Sequence, residues 1–159
     1  MRFWRRITRY DPALRDERGA YLGDTWTSIS DVGEEFAGVV LTLDEYDRVE
    51  AAYISSVVAF ANDCGADRLE VRHLESGDGL SEGDQLSVTE AAGVVRRMLR
   101  EEVVCVLESP AGDFAVHVGF DLYMYVGSDC VATRAIDHAR SAGLFVDEDW
   151  PSPQRSDGG

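Results

Sequence analysis

Residues 114–129 read FAVHVGFDLYMYVGSD, and they alternate with hardly a slip. Phe114, Val116, Val118, Phe120, Leu122, Met124 and Val126 form an apolar set, with Ala115, His117, Gly119, Asp121, Tyr123, Tyr125 and Gly127 standing between them. A repeat of two is the side-chain period of a strand with one face in the core. The stretch therefore predicts one or two strands whose apolar set faces inward and whose other face carries a histidine, an aspartate and two tyrosines. Two geometries fit. In a hairpin turning at Gly119–Phe120–Asp121, His117 sits across from Tyr123. In a single bent strand, His117, Asp121 and Tyr125 follow one another along one face.

Working outward, VVCVLES (103–109) is apolar on both faces up to Glu108, as a central strand is. PAGD (110–113) supplies the turn between. Ser87 with Glu90 forms a capping box that opens a helix running through Glu101, with Val88, Ala91, Val94 or Val95, Met98 and Leu99 inward. Thr42 with Glu45 is a second such box. It heads a longer helix with the stripe Tyr46, Val49, Tyr53, Val57 and Phe60, ended by Gly65. Between these helices DRLEVRHLE reads as a strand with Leu69, Val71 and His73 on one face, followed by an acidic, glycine-rich loop. Ser128 or Asp129 caps a third helix with Ala132, Ala135, Ile136 and Ala139 inward. Phe3–Tyr10 supplies a first strand and LFVDEDW a last, edge strand. The order predicts an α+β fold: a largely antiparallel sheet with about three helices packed mainly on one face. Residues 1–150 are expected to form one domain and 151–159 a disordered tail.

Composition narrows the function. Thirty acidic residues face fifteen arginines, with no lysine, for a net charge of −15. Such a surface repels nucleic acid and acidic membranes and draws basic partners. The charge is uneven: residues 1–20 carry +3 and the remainder −18. The aromatic, basic start (Arg2, Trp4, Arg5, Arg6, Arg9) would suit RNA, but the acidity of the rest opposes it. No apolar run follows that start to make an export signal, and none approaches the ~20 residues of a membrane span. The three cysteines, Cys64, Cys105 and Cys130, have no metal or redox spacing, so free thiols in the reducing cytosol are expected.

Motifs for phosphate loops, nucleophile elbows and calcium loops are absent from the sequence. Neither a cofactor nor a metal is expected. His117, Asp121, Tyr123 and Tyr125 could form an enzyme or ligand site, with histidine as a base oriented by aspartate and tyrosine as a proton donor. A tyrosine-bearing sheet face also suits a protein interface.

The string WTSISDVGEEFAGVVLTLDEYDRVEAAYISSVVAF (26–60), together with FAVHVGFDLYMYVGSD, GLFVDE and Ser152–Pro153, resembles small acidic bacterial immunity-type proteins of contact-dependent and other polymorphic toxin systems. The resemblance spans roughly residues 21–153 and brings no catalytic residue with it. It implies a non-enzymatic cytosolic protein that neutralises a basic toxin domain. Asp78, Glu82, Asp84 and Glu75 would then stand at the rim of the contact, with Tyr123 and Tyr125 nearer its centre and His117 and Asp121 also among the partner-binding residues.

Overall fold

The structure is a computed structural model and describes residues 1–153. Along the described chain run β1 (Phe3–Thr8), β2 (Glu35–Phe36), β3 (Val39–Val40), α1 (Leu43–Asp63), β4 (Arg68–Ser76), β5 (Gln85–Ser87), α2 (Val88–Leu99), β6 (Val104–Glu108), β7 (Phe114–Val118), β8 (Met124–Ser128), α3 (Thr133–Ser141) and β9 (Phe145–Asp147). Seven strands form one sheet in the order β5-β4-β6-β7-β8-β1-β9, while β2 and β3 make a separate small hairpin. Every pairing is antiparallel. The fold is α+β, as the sequence predicts.

The 114–129 stretch is a hairpin, and its register differs from the expected one: His117 faces Tyr125, not Tyr123. The connection is longer than the expected Gly119–Phe120–Asp121 turn: Val118 pairs with Met124, so residues 119–123 make the turn and Asp121 is at its centre. Asp121 and Leu122 both take the left-handed conformation, at φ 58° and 62°. A bulky leucine there is strained, and the surroundings must hold it. Leu122 is buried, and the Tyr53 hydroxyl donates to its carbonyl at 2.8 Å. The Tyr10 hydroxyl donates to the Asp121 carbonyl at 2.6 Å. The turn also breaks the alternation at one place. Phe120, expected in the core, is 84% exposed, whereas Phe114, Val116, Val118, Leu122, Met124 and Val126 are buried.

These six join one apolar core with Tyr46, Tyr53 and Phe60 of α1, Val95 and Met98 of α2, and Ala135 and Ile136 of α3. The core lies between the helices and one face of the sheet. α1 begins as expected, Thr42 accepting from the Glu45 amide at 3.2 Å. The reciprocal half of that box is missing because the Glu45 carboxylate holds Arg48 instead. The box of Ser87 and Glu90 is complete.

α3 starts differently from the expectation. Ala132 is its N-cap and contributes no side-chain bond; Ser128 belongs to β8, and Asp129 accepts from the Arg2 amide. The cap comes from elsewhere in the chain: Asp63, the last residue of α1, accepts from the Ala135 amide at 3.2 Å. Cys64 and Cys130 form a disulfide at the same junction, across 66 residues of sequence. The expectation of three free thiols is therefore wrong. Sequence spacing could not reveal that α1 and α3 pack side by side and bring these two positions together. Cys105 remains a free thiol; burial pushes its pKa up to about 11. Arg5, turned inward, donates to the Val131 carbonyl at 2.6 Å and to Ser128 Oγ at 2.9 Å, fastening the approach to α3.

A second departure is in β4. Leu69 and Val71 point to the core, but His73 has φ 51° and the pairing with β6 shifts between Arg72 and Ser76. Between these pairs β4 advances four residues while β6 advances two, so the strand bulges and its alternation slips at His73. His73, expected beside Val71, is exposed, and Leu74 packs against the core instead.

Candidate functional site

The face of the sheet away from the helices can be read from the register. One row across it runs Arg72, Val106, His117, Tyr125, Arg6, Asp147. The next runs Gln85, Glu70, Glu108, Ala115, Gly127, Trp4. The second row shows how part of this face is closed. Trp4 forms a small apolar cluster with Val106 and Ala115, and Tyr125 packs against it. Gly127 leaves room for the indole: a Cβ there would lie 2.7 Å from Trp4 Cε2 and Cζ2. The end of the described chain closes more. The Trp150 amide bonds to the Trp4 carbonyl at 2.9 Å, and the Arg6 guanidinium lies over the Trp150 ring at 3.7 Å. The tail expected at 151–159 begins within this face, since Pro151, Ser152 and Pro153 border it; residues 154–159 lie outside the described residues.

Two grooves remain. One, about 380 Å³, lies between β4, β6 and β7 and is lined by Trp4, His73, Glu75, Val104, Val106 and His117, with Pro153 at its edge. The other, about 570 Å³, lies on the far side of that edge, against His117, Tyr125, Trp150 and the exposed Phe120. The His117 ring stacks on Tyr125 at 6.1 Å between centroids, and its Nδ1 lies 3.4 Å from the Cys105 carbonyl. Burial raises the Tyr125 pKa.

The residues singled out in the sequence therefore separate. His117, Tyr125 and Glu75 belong to these grooves. Asp121 and Tyr123 line a different cavity of about 270 Å³ with Tyr10, Tyr21, Thr25 and Thr27. There Tyr10 lies 5.0 Å from Tyr21 and 5.3 Å from Tyr123 between ring centroids, and Arg6 covers Tyr123 at 5.0 Å. His117 and Asp121 share no hydrogen bond, so the structure does not form the base-and-orienting-carboxylate pair that an enzyme reading needs.

The acidic loop also divides. Glu75 and Asp78 are exposed, and the Asp78 carbonyl accepts from Arg97 at 2.8 Å. Glu82 is used by the fold: its carboxylate accepts from the His73 and Leu74 amides at 3.0 and 2.9 Å, holding the bulge. The Leu74 amide bond is the main cause that lowers its pKa. This carboxylate also blunts the stretch of β4 that β5 is too short to pair. Asp84 accepts from the Ser81 amide at 2.8 Å, within the turn.

Sequence reasoning missed the part played by Trp4, Val104, Val106 and Trp150. The signal for Trp4 was its strand neighbour: a tryptophan needs a small partner, and Gly127 on the hairpin is one.

Among the described residues no group of three or more His, Cys, Asp or Glu could hold a metal ion. No helix among them is long and apolar enough to cross a membrane. Comparisons with protein families, with curated proteins and with solved structures gave no match to this chain.

Proposed function

We propose that this chain is a non-enzymatic binding protein that neutralises a basic protein partner, a toxin domain, in the way implied by its resemblance to immunity-type proteins. The observation that carries the reading is how the arginines are used. Arg6 and Arg15 share Asp147, and Arg96 and Arg100 share the buried Glu50. Arg5 and Arg9 are spent on backbone carbonyls and aromatic rings. Arg5, Arg6 and Arg9 of the basic start are thus engaged within the fold, which supports a reading without RNA. Glu75, Asp78, Glu82 and Asp84, by contrast, have no ion-pair partner among the described residues. A surface most of whose cations are engaged within the fold keeps much of its negative field for a partner and speeds that partner's approach.

The reading is tested by co-expressing the chain with a basic toxin domain encoded beside it and measuring growth rescue and association rate against salt. Charge reversal at Glu75 and Asp78, whose carboxylates support no backbone, should slow association several-fold and flatten its salt dependence. Absence of rescue together with salt-independent binding would sink the proposal. A cytosolic setting belongs to the same proposal, but the Cys64–Cys130 bond is more typical of an oxidising compartment. Thiol trapping in intact cells separates the two: three reactive thiols after unfolding mean a reducing setting, and Cys105 alone an oxidising one.

A further inference from the structure

Of the two grooves on the sheet face, the one between β4, β6 and β7 has a lining that selects its ligand. Its floor is apolar, with Val106 in the Trp4 cluster and Val104 37% exposed. Glu75 is the one lining side chain with a full charge when histidines are neutral. The nearest cations are already engaged: Arg72 by Glu70, and Arg6 by Asp147 and Trp150. His117 adds an acceptor. With Nδ1–H directed to the Cys105 carbonyl, Nε2 keeps its lone pair. The groove is also where backbone strain is held in β4. Glu82 fixes His73 at φ 51°, and the resulting change of face carries both His73 and Glu75 away from the helices and into the groove lining.

An apolar stem, a planar head rich in donors and a positive charge would satisfy all of these at once. A guanidinium offers five donors in a plane, pairs with a carboxylate through two bonds and stacks on an indole. An ammonium has the charge without the plane. An uncharged apolar side chain would desolvate Glu75 with nothing in return. Building on the reading above, we infer that this groove receives an arginine side chain of the basic partner, its methylenes on Val104 and Val106 and its guanidinium between Glu75, His117 Nε2 and the edge of Trp4.

The test uses the whole chain, labelled for NMR, titrated with N-acetyl-arginine amide, with the lysine and norleucine analogues as comparisons. Shifts should concentrate on the Trp4 indole N–H and on the backbone amides of Glu75, Val104 and His117, with arginine binding several-fold more tightly than lysine. Glu75→Gln should weaken the arginine ligand about tenfold, the loss of one charge-assisted bond at a half-open site. Glu35→Gln, on the distant β2–β3 hairpin, should leave it unchanged. Shifts scattered over the acidic surface, or an unchanged affinity in Glu75→Gln, overturn the groove assignment. A salt-sensitive association with a basic partner would then still support the broader reading. The reverse result, focused arginine binding without any such association, keeps the groove and removes the broader reading. The sequence holds a further arginine, Arg155, outside the described residues, and Arg155→Ala tests it as a competitor. If the arginine ligand enters only in Arg155→Ala, the groove serves the chain's own terminus and the inference about a partner fails.

Discussion

The two faces of the β7–β8 hairpin come from the same sixteen residues and are closed by different means. Toward the helices, closure is aliphatic and aromatic: Phe114, Val116, Met124 and Val126 are at most 1% exposed beneath α1, α2 and α3. Away from the helices no helix or strand among the described residues lies over the sheet. Yet Ala115 and Gly127 are also buried, because Trp4 lies across them, and the Trp150–Pro153 stretch borders what remains. A sheet face without helices is therefore not equivalent to a free surface. The half nearer β1 is closed in part, by Trp4 and the last described residues, which leave the groove against Tyr125 and Trp150, and the half nearer β4 holds the groove lined by Glu75 and His117.

The largest expected effect belongs to the helix-covered face. Phe114→Ala removes a ring that is 1% exposed, and should cost about 4 kcal/mol of unfolding free energy, through lost burial and the cavity left behind. Chemical denaturation measures it. A loss below about 1 kcal/mol would mean that the core readily collapses around this site and that the faces differ less than their packing indicates. On the other face, Gly127→Val places a branched side chain in the volume occupied by the Trp4 indole and by Met1 Sδ, 2.7 and 2.8 Å from the new Cβ. Overpacking of this kind costs about 2 kcal/mol. It should also shift the Trp4 fluorescence, which Phe114→Ala should not. Stability within about 0.5 kcal/mol of the parent would show that the indole swings clear and that this half of the face is open after all.

The sequence showed the helix-covered face almost completely, because a strict period of two and helical stripes of aromatic and branched residues are local patterns. It failed where a distant residue overrides the local pattern. The cap of α3 is Asp63, not Ser128 or Asp129, since the side chain that meets the Ala135 amide comes from another helix. His73 changes face because Glu82, nine residues on, holds a bulge that no periodicity announces. The candidate site fared worse for the same reason. Asp121 and Tyr123 share alternation with His117 and Tyr125, but two left-handed residues in the turn send them to another cavity. Cys64 and Cys130, far apart in sequence, gave no sign of their bond.

That turn supplies the next test. The Tyr53 hydroxyl accepts from the Arg9 amide and donates to the Leu122 carbonyl, both at 2.8 Å, in a fully buried position. Tyr53→Phe keeps the ring but strands the partly buried Arg9 amide and the buried Leu122 carbonyl, a loss of about 1.5 kcal/mol. The Asp121–Leu122 amides should gain exchange rate ahead of the rest of the sheet. Uniform exchange across the hairpin would show that the strained turn is maintained by Leu122 burial alone.

The smallest effect concerns Glu82, which is fully exposed and so contributes little to global stability. Its depressed pKa nevertheless has a local consequence with a definite sign. A carboxylate held below its unfolded value favours the folded bulge at pH above that unfolded value, about 4.3 for glutamate, and loses this contribution as pH falls through the folded value. The amides that feel it are His73 and Leu74, the two donors to Glu82. Val71, one turn of the pleat earlier, donates to the Asp84 carbonyl and has no such dependence. Amide exchange referred to unstructured rates should show His73 and Leu74 protected at neutral pH and released in acid, while Val71 stays protected. Glu82→Gln should give the released pattern at every pH and, by relaxing the bulge, weaken arginine binding in the groove without touching its lining. Equal protection of His73 and Leu74 in the variant would mean that backbone pairing with β6 alone fixes the change of face, and that the acidic loop does not hold the groove in shape.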